Sequence, residues 1–196
     1  SSIVLLMINL FIGLSVGTNV MTARYVGEKN PDAVKRAIHT SVALSLVSGI
    51  WLAFIGLLLA RKMLMWMGSP ADVIDKAAIY LKIYFCGMPV IMLYNFTSAV
   101  LRAFGDTKRP LYYLSLAGAI NVALNLYFVI VFHMDTAGVA LATVLSQFVS
   151  AGLTLRALTR LDEKYRLDIK KIRFHKKELL NIVKVGVPAG LQNTMF

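Results

Sequence analysis

The stretch "SLAGAINVALNLYFVIVF", residues 115–132, contains no charged residue and is mostly aliphatic or aromatic. With the residues before it, from 110 onward, it is long enough to cross a bilayer, because a spanning helix needs about 20 apolar residues. It nevertheless carries Asn121 and Asn125, one helical turn apart. Amides at that depth are costly unless they find hydrogen-bonding partners. The stretch therefore predicts a membrane-spanning helix whose polar pair has a specific purpose.

Similar runs recur along the whole chain. It has 196 residues, of which 58% are hydrophobic, and a mean hydropathy of +0.68, whereas soluble domains are about 45–50% apolar. The runs lack the two-residue alternation of a β-barrel, and five buried soluble helices with so little polar chain between them are improbable. We predict an all-α fold, a polytopic transmembrane helix bundle. Its five spans are at about 3–23, 37–60, 77–101, 110–132 and 137–158, and a further helix starts in 182–196. Both ends of the chain fall inside such runs, so we expect a fragment of a longer protein.

The positive charges are unevenly distributed between the two sides of these spans. Seventeen of the 21 Lys and Arg residues lie in segments 24–36, 102–109 and 156–184, which fall on one side. The positive-inside rule places that side in the cytoplasm, and we expect a multi-pass protein of the bacterial inner membrane. Segment 159–181 is the only long connection, and we interpret it as a basic cytoplasmic loop between two lobes. It lacks a nucleic-acid-binding motif and interleaved aromatic residues, so we expect the bilayer, and not nucleic acid, as partner.

Polar residues form a stripe along one face of four predicted helices. Candidate cavity-lining residues on the first and third helices are Ser15, Thr18, Asn19, Thr22, Asn95 and Ser98. Such stripes serve either helix packing, at about 0.6 kcal/mol per hydrogen bond, or a water-filled cavity, and for a single Ser or Thr we favour packing. The amides of Asn121, Asn125 and Gln147 are better candidates for function, because an amide oxygen can also coordinate a hard cation such as Na⁺.

Titratable groups offer little chemistry inside the predicted spans. None of the ten acidic residues lies deep in a span, so the sequence provides no intramembrane carboxylate to bind a cation or to titrate. It shows no metal-ligand cluster, phosphate loop or nucleophile–base pair, and we expect neither an enzyme nor a cofactor. His39, His133 and His175 lie near helix ends and are expected to be solvated or interfacial.

Four motifs, in order along the chain, resemble the multidrug and toxic compound extrusion (MATE) family. They are "GLSVGTNVMTARYVGEKN" at 13–30, "SAVLRAFGDTKRPL" at 98–111, "GVALATVLSQ" at 138–147 and "VGVPAGLQN" at 185–193. The resemblance covers essentially the whole chain. It implies that the chain comprises helices two to six of the N-terminal lobe, the inter-lobe loop and the start of helix seven.

The resemblance also implies a function. MATE transporters are secondary antiporters that expel organic, often cationic, compounds in exchange for Na⁺ or H⁺. In several members a cation site uses two polar residues one turn apart on the fifth helix and a Thr on the sixth, which match Asn121, Asn125 and Thr143. Some members carry Asp where this chain has Asn125, and the family's first helix usually contributes an Asp. We therefore expect a coupling-ion site here, with Na⁺ as a possible ligand, and an organic small molecule and the remaining helices of the full-length chain as partners.

The loop motif at 102–110 has its own physical logic. Pro110 can start a helix, Gly105 permits a tight turn, and Asp106 can pair with Arg102 or cap a helix. We predict a structural or gating role for these four residues at the cytoplasmic mouth.

A lipid-linked oligosaccharide flippase of the same superfamily is the closest alternative function for the chain, but it should need a more cationic cavity for a diphosphate. A non-transporting membrane scaffold is the other, and it would not need polar stripes on four helices.

Overall fold

A computed structural model describes residues 2–195, with side chains from Leu5 onward. Seven α-helices account for most of these residues, and no strand occurs among them, which confirms the all-α fold. The helices are α1 (Ser2–Gly27), α2 (Pro31–Trp66), α3 (Ile74–Cys86), α4 (Met88–Ala103), α5 (Lys108–Leu126), α6 (Thr136–Thr159) and α7 (Lys176–Met195). A π-helical turn, Tyr127–Val131, extends α5, and a short 3₁₀ helix, Ile169–Lys171, lies between α6 and α7.

Four helices are long and apolar enough to cross a bilayer, and a bent pair is a candidate for a fifth span. Helices α1, α2, α6, and α5 with its π-helical turn are each long and apolar enough to cross a bilayer. Helices α3 and α4 pass the same test only as a pair, bent by 44°. The break falls at Gly87, next to Pro89, which has no N–H to donate. A Cβ atom on Gly87 would lie 2.6 Å from Cγ2 of Val144, so α6 passes close to the bend.

The helices form two neighbouring sets that share α4. Helix α1 packs against α7, α4 and α2, and α6 packs against α4, α3 and α5. Helices α1, α4 and α6 end, and α2, α5 and α7 begin, at the same end of the bundle, which we call the basic end. One apolar cluster, around Ile38, Leu101 and Leu158, lies near this end, and a second, around Phe96 and Met92, lies farther along the bundle. Helix α5 is at the edge, with only Pro110 and Ala117 buried.

Helices α1 and α7 are antiparallel and meet backbone to backbone through glycines. Gly13 and Gly17, one turn apart on α1, face Gly190 and Gly186 on α7. A Cβ atom on Gly13 would lie 2.6 Å from the carbonyl oxygen of Gly186, and one on Gly17 would lie 2.8 Å from the amide nitrogen of Gly186. Small residues spaced four apart are the usual way in which membrane helices approach this closely.

The segment between α6 and α7 is attached to α2 through buried polar contacts. His39 is only 4% exposed, so the expectation that it is solvated is wrong; its interfacial position stays a prediction. Its Nδ1 donates to the carbonyl oxygen of Lys35 (2.7 Å), and its Nε2 accepts from the backbone N–H of Asp168 (3.1 Å). Both contacts together require the neutral ring with its proton on Nδ1. A second backbone N–H, that of His175, donates to Thr40 Oγ1 (3.0 Å).

An ion pair adds a further link between α2 and α7. Arg36 Nε donates to Glu178 Oε1 at 3.0 Å, and the Glu178 side chain is 2% exposed. The acid belongs to the first turn of α7, where a negative charge is also favoured by the helix dipole. The contacts of His39, Thr40 and Arg36 therefore hold the connecting segment and the start of α7 onto the first three turns of α2.

The glycine contact yields a test of stability. Gly13→Ala should destabilise the protein by about 1–3 kcal/mol, because the added methyl meets backbone atoms that cannot move aside without separating α1 from α7. Gly118→Ala is the matched control, since nothing lies within 4 Å of the Cβ position there. Thermal unfolding of both variants in detergent measures the difference. An unchanged midpoint for Gly13→Ala would contradict the close approach of the two helices.

The attachment of the connecting segment can be tested by proteolysis. His39→Leu removes the acceptor for the Asp168 N–H, which costs about 1–3 kcal/mol, so trypsin should cleave within 160–175 about tenfold faster or more. His175→Leu is the control, because His175 is held by its backbone N–H and keeps that bond to Thr40. Equal cleavage rates in the two variants would show that His39 does not hold the segment.

Candidate functional site

Asn121, Asn125 and Thr143 come together between α5 and α6. Asn125 Nδ2 donates to Asn121 Oδ1 at 2.6 Å. Asn121 Nδ2 in turn lies 3.4 Å from Thr143 Oγ1 and 3.3 Å from Ser146 Oγ. Three of the residues that the sequence indicated thus form one connected polar group, which we call the α5–α6 network, together with Ser146.

The hydrogen bonds of this network run in one direction. The hydroxyl of Thr143 donates to the carbonyl oxygen of Val139 (3.0 Å), and that of Ser146 donates to the carbonyl oxygen of Thr143 (2.8 Å). A hydroxyl has one proton, so both can only accept from Asn121. Asn121 therefore presents its NH₂ group to α6 and its oxygen to Asn125, which must present its own NH₂ group in return.

This direction leaves one atom without a partner. Asn125 Oδ1 is buried and accepts no hydrogen bond from the described part of the chain. A buried carbonyl oxygen without a partner costs about 1–3 kcal/mol, and it attracts a hydrogen-bond donor or a cation. The network therefore ends at Asn125 Oδ1, a hydrogen-bond acceptor that has no donor.

The surroundings of Asn125 are irregular and lack negative charge. The π-helical turn begins two residues after Asn125, and such turns are frequent at functional sites. The network lies roughly 20–25 Å along α5 from its first residue, Lys108, and so beyond mid-membrane depth. No group of three or more His, Cys, Asp or Glu side chains suited to a metal ion occurs among residues 2–195. The oxygens of the network itself, from Asn121, Asn125, Thr143 and Ser146, are all neutral.

Gln147 lies near the network but is not part of it. Its Oε1 is 3.4 Å from the hydroxyl of Ser150, one turn farther along α6. The residue of α6 that accepts from Asn121 beside Thr143 is Ser146, which the sequence analysis did not single out. Its position three residues after Thr143 is the signal that could have identified it, because that spacing puts the two hydroxyls on one helix face.

Two of the six candidate cavity-lining residues form hydrogen bonds between helices: Thr18 Oγ1 lies 3.2 Å from Ser41 Oγ on α2, and Asn19 Nδ2 donates to the carbonyl oxygen of Ala99 on α4. Ser15 and Asn95 donate to carbonyl oxygens of their own helices, those of Ile12 and Ile91. The hydroxyls of Thr22 and Ser98 are buried and have no partner in residues 5–195. The structure thus does not join these six to the α5–α6 network, and their role in lining a cavity stays a prediction.

Two of the four residues expected to shape the loop before α5 do so, Gly105 and Asp106, whereas Pro110 does not start the helix, which begins two residues earlier at Lys108. Gly105 has φ +82°, a left-handed conformation that glycine adopts without strain. Asp106 accepts from the backbone N–H of Arg109 (3.1 Å) and pairs with the Arg109 side chain (3.0 Å), so it caps α5 and its partner is not Arg102, whose side chain is exposed. Tyr94 Oη donates to the carbonyl oxygen of Pro110 (2.9 Å), which fixes the start of α5 on α4.

Four helices and one bent pair long and apolar enough to cross a bilayer, with a polar network between two of them, indicate a polytopic membrane protein. Comparison with known proteins agrees, since the family model described as MatE matches residues 1–127. The probable multidrug resistance protein YpnP of Bacillus subtilis is 33% identical over 98% of this chain and 43% of its own length. The chain belongs to the multidrug and toxic compound extrusion (MATE) family.

Other relatives and solved structures extend this likeness. The probable multidrug resistance protein NorM of Thermotoga maritima is 27% identical over 94% of this chain and 40% of its own length. A crystal structure of a MATE protein in the bent conformation superposes with a TM-score of 0.89 and 25% identity, covering 96% of this chain and 42% of that one. The chain therefore spans less than half the length of the relatives that it matches.

Proposed function

We propose that the chain is part of a secondary antiporter that exports organic, often cationic, compounds in exchange for Na⁺ or H⁺ by alternating access. Membership of the MATE family and the names of the multidrug resistance relatives support the class of substrate. The observation that carries ion coupling is the buried, unpartnered oxygen of Asn125 at the end of the α5–α6 network. A transporter of this kind acts in the inner membrane, with the basic end on the cytoplasmic side.

The direction of the network favours a cation at Asn125. Asn121 donates to the hydroxyls of α6, and Asn125 donates to Asn121 on the same helix, so the two amide dipoles point the same way along the network and place negative potential at Asn125 Oδ1. Neutral oxygens can replace part of the hydration shell of Na⁺, but amides do not titrate. If H⁺ is the coupling ion, a carboxylate from the remaining helices, such as the Asp that the family's first helix usually contributes, must carry it.

The two other interpretations of the sequence are less well supported. A flippase for a diphosphate-linked lipid should bind its anion through deep cationic side chains, and the α5–α6 network contains none. A scaffold has no need of a buried oxygen without a partner, because such an atom lowers stability.

Substitution of the amide pair tests the proposed coupling. In the full-length transporter, Asn121→Leu or Asn125→Leu should reduce ion-driven efflux about tenfold, because each removes an oxygen from the site or the bond that orients it. The double variant should be little worse than either single one, since both residues serve one site. Efflux from cells or proteoliposomes under an imposed Na⁺ or H⁺ gradient measures this effect.

The matched control is Ala119→Leu, which introduces the same side chain on an exposed part of α5. Its expression and efflux should equal those of the parent protein. If Asn121→Leu and Asn125→Leu also export at the parental rate with unchanged ion dependence, the pair serves only packing and the ion-site proposal fails.

Cysteine labelling tests the proposed orientation. In a Cys86→Ala background, Glu163→Cys at the basic end and Asp72→Cys at the opposite end provide exposed labelling positions. A membrane-impermeant maleimide should label position 72 in intact cells and position 163 only after permeabilisation. The reverse pattern would place the basic end outside and contradict the proposal.

A further inference from the structure

A basic cleft opens at the basic end of the bundle, between the first turns of α5 and the last turns of α6. It has a volume of about 430 Å³ and is lined by Arg109, Tyr113, Leu153, Arg156, Ala157 and Arg160. Half of these side chains are arginines and none is acidic. We propose that this cleft binds the phosphate headgroup of an anionic phospholipid from the leaflet at the basic end.

Two of the three arginines of the cleft carry uncompensated charge. Arg156 and Arg160 are one turn apart on α6, where like charges repel each other, and neither forms an ion pair within the described residues. Arg109 is already paired with Asp106 at 3.0 Å. A phosphate bound between Arg156 and Arg160 would relieve the repulsion, and guanidinium groups suit phosphate oxygens because they donate two parallel hydrogen bonds.

The surface next to the cleft favours a lipid over a soluble anion. Leu145, Val149, Gly152 and Arg156 follow one another at three- and four-residue spacing on α6, so they share a face. Leu145 is 40% exposed, and nothing lies within 4 Å of the Cβ position of Gly152, so the face is open there. This strip offers an acyl chain an apolar path toward the membrane centre, directly above a site for its headgroup. Soluble phosphate would need no such strip.

A larger basic cleft at the same end is less suitable. It has a volume of about 640 Å³, and five of its nine lining residues are Lys or Arg. Arg36 is already paired with Glu178, and Asp32 places a negative charge in the cleft itself. The smaller cleft has no acidic lining residue and lies beside the apolar strip, and that combination distinguishes a lipid site from a general basic surface.

The test compares lipid binding to the full-length protein and to a charge-matched pair of variants. Purified protein is titrated with phosphatidylglycerol or phosphatidylcholine, and bound lipid is counted by native mass spectrometry. Arg156→Gln with Arg160→Gln should weaken phosphatidylglycerol binding about tenfold or more and leave phosphatidylcholine binding unchanged. Lys164→Gln with Lys177→Gln removes the same charge from exposed positions outside the cleft and should retain the parental affinity.

Two further arms separate the possible outcomes. Glycerol phosphate, which has the headgroup chemistry without acyl chains, should not displace phosphatidylglycerol at equal concentration; displacement would show a soluble-anion site and overturn the proposal. If the Gln pair does not fold, Arg156→Lys with Arg160→Lys carries the test, because lysine keeps the charge but loses the paired hydrogen bonds. Phosphatidylglycerol binding should then fall several-fold. Equal losses in the cleft and control variants, or no loss in either, would refute a specific site.

Discussion

The hydroxyl groups of α6 donate their only proton to their own helix, and the polarity of the whole α5–α6 network depends on that. In an apolar environment a Ser or Thr hydroxyl satisfies itself by bonding to a backbone carbonyl three or four residues earlier, as Thr143 and Ser146 do. What it then offers to a neighbouring helix is an acceptor. Asn121 must therefore donate from its NH₂ group, which leaves its oxygen to accept from the NH₂ group of Asn125. The oxygen of Asn125 then has no hydrogen-bond donor. A local property of hydroxyls within a helix thus fixes the chemical character of a site one helix away.

A second constraint is the close approach of α1 and α7 and its position in the chain. The glycine contact of these helices allows almost no side-chain atoms between the two backbones, and the contacts of Arg36 and His39 fasten the preceding segment to α2. The link between α3 and the start of α6 is weaker: Lys76 and Asp135 form an exposed ion pair at 2.8 Å, a type that contributes little to stability in water. Movement of α7 relative to α1 and α2 must therefore break a close-packed contact and an ion pair whose acidic partner, Glu178, is buried.

The spacing of apolar and polar residues along the sequence predicts features that involve a single helix or two consecutive helices. The spans follow from hydropathy, and the convergence of Asn121 with Thr143 follows from residue spacing, helix rise and the very short turn between the two helices. Contacts between distant segments were not predictable in this way. His39 is buried because the segment around Asp168, 129 residues later in the sequence, packs against it. The sequence near His39 contains no pattern that predicts this contact. The predicted span 77–101 breaks at Gly87, a weakness visible in the sequence, but the close passage of Val144 beside the break is a property of tertiary packing.

The use of amides in place of carboxylates on α5 follows from how exposed this helix is. With only Pro110 and Ala117 buried, an unpaired charge at the position of Asn125 would be costly at this depth. An amide places an oriented oxygen there at a lower cost in desolvation, and the network to α6 holds its direction. Because an amide cannot exchange a proton, this chain contributes only geometry and ligand oxygens to the ion coupling that we propose. That proposal requires the compensating negative charge to come from another helix.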